Sequence, residues 1–251
     1  MKTIFISGAT AGIGKATAKL FVAKGNRVII TGRRIEKLNE VANALNQQKP
    51  NSCKALCFDV RNRDEVKTAI KQLPQEWKTI DVLVNNAGLA AGKEPLQNGD
   101  FKDWDAMIDT NVKGLLYVTE MVLPLMPNGG HVVNVSSIAG LQSYGGGNVY
   151  CASKYAVEGL TNGMRIDLLP RNIKVTSICP GLVVTEFSIV RFKGDQQKAD
   201  ATYKGIDPLT AKDVAESIYW AVDRPDNVHI TQILLMAKQQ ADALHVNRNS
   251  N

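Results

Sequence analysis

Two apolar rhythms alternate along this chain. Short, nearly continuous runs rich in Val, Ile and Phe read as strands: Lys2 to Ser7, Arg27 to Thr31, Cys53 to Phe58, Ile80 to Val84, His131 to Val135, Ile173 to Ile178 and Val228 to Leu235. Between them lie stretches with apolar residues three and four apart, which predict helices from the Gly14 region to about Lys24, Ile35 to Gln48, about Asp64 to Leu73, Asp100 to about Leu123, Val149 to Leu169 and Pro208 to Val222. Gly25-Asn26, Lys49-Pro50-Asn51, Pro124 to Gly130 and Pro170 close four of these. Strand and helix alternate from end to end. Such a chain is expected to form an α/β fold, a doubly wound, seven-stranded parallel sheet with helices on both faces in three layers. Residues from about Ser188 to Thr210 have weak periodicity and mixed charge, and read as a lid over a cleft. The tail to Asn251 is polar and reads as frayed, and with no repeat or linker the whole of 1–251 reads as one domain.

Composition narrows the function classes. At 251 residues and 44% hydrophobic, the chain can bury one large core. No apolar run reaches the roughly 18 residues that span a bilayer, and the N-terminus enters a Gly-rich turn too early for a signal peptide, so a cytoplasmic protein is expected. Cys53, Cys57, Cys151 and Cys179 lack paired spacing, so neither zinc nor a disulfide framework, and no metal, is anticipated. The net charge of +6 is spread as 30 basic among 24 acidic residues, without the basic run that nucleic acid requires. A small anionic ligand accounts for it equally well.

The chemistry gathers at the ends of the strands. The first runs into Gly8-Ala9-Thr10-Ala11-Gly12-Ile13-Gly14 and then a helix, a layout that lets backbone N–H groups and the helix N-terminus face a pyrophosphate. The second ends in Gly32-Arg33-Arg34, where an NAD site would carry an acid for the ribose hydroxyls. Two guanidiniums in its place favour a 2′-phosphate, hence NADP, although Arg34 also suits a solvated basic turn. Asp59-Val60 ends the third, where Asp59 could accept from an adenine amino group or equally be the N-cap or turn residue before the next helix. Asn85-Asn86-Ala87-Gly88 ends the fourth and suits a wall beside a flat ligand. Asn111 interrupts a long helical pattern, and an interior Asn is expected to bond something specific.

The fifth strand delivers Ser136 and Ser137 to a Gly-rich turn, after which Tyr150 and Lys154 lie four apart on one helix face. A free Tyr titrates near ~10, so a general base at neutral pH needs a drop of roughly 3 pH units, or ~4 kcal/mol. One ammonium about 4 Å away supplies energy of that order at an effective dielectric of ~20. Lys154 is thus read as acidifying Tyr150, with Ser137 holding the substrate oxygen. Taken alone, the same spacing fits a buried Tyr beside a snorkelling Lys.

Together, Gly8-x-x-x-Gly12-x-Gly14, Asn85 to Gly88, Asn111, Ser137, Tyr150-x-x-x-Lys154 and Pro180-Gly181 resemble the short-chain dehydrogenase/reductase family in order and spacing, over nearly the whole chain. The resemblance implies a Rossmann-like fold. It makes Tyr150 the acid/base, Ser137 the orienting hydroxyl (thirteen residues before Tyr150, with Ser136 as the alternative), and Lys154 the partner of both tyrosine and nicotinamide ribose. It also implies that Asn111 holds a relay water and that Thr185 meets the carboxamide, and that Gly8, Thr10, Gly12, Ile13, Gly14, Arg33, Arg34, Asp59, Val60, Asn86, Ala87, Gly88, Pro180, Gly181 and Val183 complete the cofactor site.

A narrower likeness, in Asp59 to Arg63, Met107 to Asn111, Tyr144 to Tyr150, Thr185 to Ser188 and Val190 to Asp195, is to the NADP-dependent 3-hydroxy acid dehydrogenases. It implies oxidation of serine, allo-threonine, 3-hydroxyisobutyrate or 3-hydroxypropionate, or reduction of the matching carbonyl, by a homotetramer paired through the Asp100 to Leu123 and Val149 to Leu169 helices. The Pro180 to Thr185 loop is one residue shorter than in close members. A substrate carboxylate calls for a cation, with Arg191 the first candidate and Lys193 the second; solvated lid charges are the alternative. Competing readings are a reductase of carrier-bound 3-oxoacyl groups or general carbonyls, and an NADP-binding sensor without chemistry.

Overall fold

The computed structural model describes residues 1–249 of the chain. In chain order its elements are β1 (Thr3–Ile6), α1 (Gly12–Ala23), β2 (Arg27–Gly32), α2 (Ile35–Gln48), β3 (Cys53–Cys57), α3 (Arg63–Lys71), β4 (Val82–Asn85) and α4 (Phe101–Ile108). A π turn (Asp109–Lys113) leads to α5 (Gly114–Val122), β5 (His131–Val135), α6 (Asn148–Asp167), β6 (Lys174–Pro180) and β7 (Val183–Val184). Then come α7 (Glu186–Arg191), α8 (Gln196–Ala201), β8 (Leu209–Thr210), α9 (Ala211–Val222) and β9 (Gln232–Leu235).

Seven strands form one parallel sheet in the order β3-β2-β1-β4-β5-β6-β9, with register pairs such as Ile4 to Val28 and Ile4 to Val82. The strands are apolar on both faces because both are covered. In β1, Ile4 and Ile6 enter a core shared with Phe21 and Val22 of α1, Leu38 of α2 and Ile218 of α9. Phe5 points the other way, into a core with Val66 of α3, Val118 and Val122 of α5, and Val175. The same alternation recurs at Val28, Ile29 and Ile30 and at Val82, Leu83 and Val84, which makes three layers. Chain order reverses direction about β1, which lies between β2 and β4, so a crevice opens above the carboxyl ends of those strands. Every predicted site loop leaves from that edge.

Three local expectations need correcting, and one alternative left open is resolved. The Asp100 to Leu123 helix is not continuous: its hydrogen-bond ladder widens to a π turn at Asp109–Lys113, where the Asn111 side chain bonds outside the helix. Its N-cap is Asp100, which accepts from Lys102 N at 2.9 Å. Of the N-cap and turn roles open to Asp59 it takes the turn, accepting from Arg61 N at 3.0 Å, and the cap of α3 is Asn62, accepting from Asp64 N and Glu65 N. α9 starts at Ala211 rather than Pro208, behind a Thr210/Asp213 capping box. Finally, the tail does not fray within the described residues. Asn247 N bonds Gln239 O at 2.8 Å, Ala243 N bonds Gln142 Oε1 at 3.0 Å, and Arg248 Nη2 bonds Thr202 O at 3.2 Å; Ser250 and Asn251 lie outside the described residues.

The region from about Ser188 to Thr210, whose weak periodicity predicts no helix, is built from the end of α7, all of α8 and β8, which pairs back onto β7. Six-residue helices are too short to leave a readable period. Ser188 Oγ meets Tyr203 Oη at 2.6 Å, and Tyr203 Oη donates to Val183 O at 2.8 Å, fastening the segment above the crevice.

Candidate active site

The crevice is a cleft of about 870 Å³. Its lining includes the predicted Gly8, Thr10, Gly12, Ile13, Arg33, Arg34, Asp59, Val60, Asn86, Ala87, Gly88, Ser137, Tyr150, Lys154, Pro180, Gly181, Val183, Thr185 and Arg191. Gly14 and Asn111 stand behind this wall. The glycine turn is shaped for close approach. Gly8 has φ +68°, and a Cβ there would lie 2.8 Å from Ala87 Cα; a Cβ on Gly14 would lie 2.5 Å from both Asn86 Nδ2 and Gly8 O. Asn86 accounts for that crowding, since its Nδ2 donates to Ser7 O at 2.9 Å and Gly8 O at 3.0 Å, clamping the turn to the end of β4.

A cluster of cations borders the far end of the turn. Arg34 donates to Thr10 Oγ1 at 2.9 Å and Glu186 Oε2 at 2.7 Å, Lys37 reaches Glu186 Oε1 at 2.9 Å, and Arg33 reaches Asp59 Oδ2 at 3.4 Å. Lys37 and Arg34 together hold the Glu186 carboxyl below its usual range. The Asp59 carboxyl is pushed up by burial, but hydrogen bonds from Arg61 and the charges of Arg33 and Arg61 outweigh this and leave it low. Arg33 and Arg34 are half-exposed at the cleft mouth, with Gly32, not a carboxylate, at the strand end. A glycine cradle and a donor set of guanidiniums without the ribose-binding acid fit a dinucleotide carrying a 2′-phosphate.

At the opposite end, α6 and the loop after β5 bring Ser137, Tyr150 and Lys154 together, all buried. Ser137 caps the short turn Ile138–Gly140 by accepting from Ala139 N at 3.1 Å, and its hydroxyl donates to Pro180 O at 3.4 Å. Ser136 Oγ, the alternative, is buried without a hydrogen-bond partner. Lys154 Nζ donates to Val135 O at 3.0 Å and lies 6.0 Å from the centre of the Tyr150 ring. The expected acidified phenol is therefore not what this geometry produces. Burial drives Tyr150 well above the ordinary tyrosine range, the nearby Tyr144 adds to this, and Ser137 and Arg191 oppose it without prevailing. Lys154 is itself drawn down to about 8 by burial.

Asn111, on the π turn, accepts from Leu89 N at 2.8 Å and donates to Leu89 O at 2.9 Å and Ser153 Oγ at 2.9 Å. Its side chain thereby ties the π turn to the loop after β4 and to α6. Arg191 faces the cleft. Its Nη1 donates to Tyr144 Oη at 2.8 Å and its Nε to Gly92 O at 3.1 Å, its guanidinium sits 5.7 Å from the Tyr150 ring centre, and its Nη2 is buried with no partner. Lys193 turns outward to Asp103 at 2.8 Å. Sequence reasoning gave no role to Tyr144, Glu186, or the tail residues Gln240, Ala243, Leu244, Val246 and Arg248 in the lining. An aromatic inside the Gly-rich loop was a signal for Tyr144, whereas the tail carries none. Among the described residues no group of three or more His, Cys, Asp or Glu could hold a metal ion.

A parallel sheet with a glycine turn at its switch point and a buried Ser, Tyr and Lys beside it defines a dinucleotide-binding oxidoreductase. The chain belongs to the short chain dehydrogenase family, whose model matches residues 2–196. It is 45% identical over 250 residues to the NADP-dependent 3-hydroxy acid dehydrogenase of Salmonella typhi, covering 98% of this chain and 99% of that one. It is 44% identical over 242 residues to the serine 3-dehydrogenase of Agrobacterium fabrum, covering 96% of each. Among solved structures, the closed form of a serine dehydrogenase complexed with NADP+ superposes with a TM-score of 0.92 at 44% identity, over 98% of this chain and 100% of the other. Serine dehydrogenase from Escherichia coli superposes with a TM-score of 0.82 at 38% identity, over 95% and 99%.

Proposed function

We propose that this protein is an NADP-dependent dehydrogenase of small 3-hydroxy acids, serine foremost, that also reduces the matching carbonyl. The observation that carries the reading is Arg191, a half-buried guanidinium in the cleft wall with an unpartnered Nη2 beside the acid/base tyrosine, because a cation in the reaction cleft with a donor to spare selects an anionic substrate. NADP held by the Gly8 to Gly14 turn, with its 2′-phosphate at Arg33 and Arg34, supplies the hydride acceptor when bound. Ser137 holds the substrate oxygen next to the Tyr150 hydroxyl. A phenol kept protonated by burial donates its proton to a carbonyl oxygen in reduction, and accepts the proton of the hydroxyl in oxidation after passing its own away. Oxidation is therefore expected to accelerate with rising pH. The Lys154 charge, 6.0 Å from the Tyr150 ring centre, favours phenolate during oxidation against the burial that otherwise keeps the phenol protonated, and Asn111 fixes the π turn beside both. A carbonyl reductase of neutral substrates would use Arg191 only to hold Tyr144 and Gly92, and would leave its Nη2 unused.

Three further features belong to this proposal. The segment from about Ser188 to Thr210 acts as a lid, supported by its links from Arg191 to Gly92 and from Tyr203 to Val183 at the cleft wall. The protein assembles as a homotetramer through α4, α5 and α6, whose outward apolar residues Phe101, Leu116, Tyr155 and Ile166 have water against them in a single chain. It works in the cytoplasm, consistent with four free cysteines; no helix of the described residues is long and apolar enough to cross a membrane.

The test is absorbance at the reduced-nicotinamide band with NADP or NAD and L-serine, L-allo-threonine, 3-hydroxyisobutyrate, 3-hydroxypropionate or a neutral secondary alcohol. NADP reduction confined to the acids supports the reading. Silence with the acids, together with NADPH oxidation by neutral carbonyls, overturns the substrate and keeps the family.

A further inference from the structure

α6 presents Tyr150, Lys154 and Glu158 in steps of four, on one face. Lys154 and Glu158 are the only buried lysine, arginine, aspartate or glutamate residues among the described residues. The Glu158 carboxylate is well supplied with donors: Oε1 accepts from Ser177 Oγ at 2.5 Å and Cys179 Sγ at 3.4 Å, and Oε2 accepts from Gln232 Nε2 at 2.9 Å. These three contacts satisfy both carboxylate oxygens. Lys154 Nζ has a carbonyl acceptor, Val135 O, so Glu158 acts on it along the helix face and not by contact.

A buried ammonium beside no anion would release its proton. The groups facing Lys154 are few. On its own helix these are Tyr150 and Glu158; β6 contributes Cys179, β5 the neutral Val135 carbonyl, the π turn the neutral Asn111, and Arg191 from α7 reaches only the Tyr150 ring. Burial pushes the Cys179 thiol up to about 12, which leaves it neutral. Glu158 is thus the one anion in the set.

We propose that Glu158 is a positioning residue for the reaction, the buried counter-charge that keeps Lys154 an ammonium, held in place by Ser177, Cys179 and Gln232. It touches neither substrate nor cofactor and works through Lys154 alone. This rests on reading Tyr150 and Lys154 as the acid/base pair, and the two fail separately: unimpaired turnover in Tyr150→Phe sinks that reading whatever Glu158 does.

The experiment titrates Lys154 directly in the full-length protein, following the ε-carbon resonance of ¹³C-labelled lysine, assigned by its loss in Lys154→Arg. Glu158→Gln should lower the Lys154 midpoint by about one pH unit, the effect of a unit charge on the next turn at intermediate dielectric. Glu158→Asp, which retains the charge, should restore it toward wild type. The alkaline limb of kcat for reduction should move with the midpoint. An unmoved midpoint overturns the proposal, as does a shifted midpoint with a stationary limb. If Glu158→Gln does not fold, Gln232→Leu removes one donor from the carboxylate at the sheet edge; a downward shift of the Lys154 midpoint supports the proposal and none overturns it.

Discussion

Replacing Arg191 with leucine separates recognition of a substrate carboxylate from the chemistry next to it. The side chain holds Tyr144 Oη at 2.8 Å and Gly92 O at 3.1 Å, and keeps one buried N–H pair, at Nη2, without a partner. A carboxylate accepting from that donor forms a charge-assisted hydrogen bond of about 1.5–3 kcal/mol. Loss of that interaction corresponds to about a 10- to 150-fold rise in KM for L-serine. KM for NADP and for a neutral secondary alcohol should stay within about twofold, because neither needs the guanidinium. The two lost internal bonds are only partly buried, so a destabilisation of about 1–2 kcal/mol is expected and is checked by the thermal midpoint. Initial rates of NADPH formation, with each substrate varied at saturating NADP, give the constants. Equal losses for the acid and the neutral alcohol would show that Arg191 only shapes the cleft. An unchanged KM for serine would place the carboxylate elsewhere.

Other predictions follow from the same geometry. Arg33→Ala should weaken NADP binding by about 10-fold or more, as for a lost charge-assisted phosphate contact, and leave NAD binding nearly unchanged; isothermal titration measures both, and equal effects refute the phosphate assignment. Gly14→Ala puts a methyl 2.5 Å from Gly8 O, so the turn must shift, with about 1–3 kcal/mol lost in denaturant unfolding and weaker binding of both dinucleotides. His131 is pushed down to about 3, chiefly by burial. Between that value and the ordinary imidazole range near ~6.5, the unfolded chain binds a proton that the folded chain does not, so stability falls as the pH drops through this window, by on the order of a few kcal/mol in all. His131→Asn should flatten that part of the urea-midpoint profile against pH; an unaltered slope contradicts the assignment.

The fold was legible because the sheet is buried on both faces. Runs such as Thr3–Ile6 and Val82–Asn85 leave no polar face to confuse the reading, and glycines and prolines mark most of the turns. The cleft wall was legible for a related reason: residues at the carboxyl ends of consecutive parallel strands converge on one edge. What sequence could not supply was side-chain direction. Tyr150 and Lys154 do share a helix face, yet Lys154 spends its proton on Val135 O, and burial raises the phenol where spacing alone suggested acidification. Nor does spacing reveal that Asn111 widens its helix into a π turn, since that depends on Leu89, a residue 22 positions earlier in the chain. The tail is the extreme case: Gln240 is buried against Leu182, 58 positions away, and no local pattern encodes the contact.

The most direct test of the central claim follows the transferred hydrogen. L-Serine deuterated at C3 is incubated with NADP and the protein, and the reduced nicotinamide is analysed by mass spectrometry. Deuterium in the NADPH from the wild type, and loss of that transfer in Tyr150→Phe, are the predicted results. NADPH free of deuterium, or undiminished transfer by Tyr150→Phe, would contradict hydride removal from C3 with Tyr150 as the acid/base.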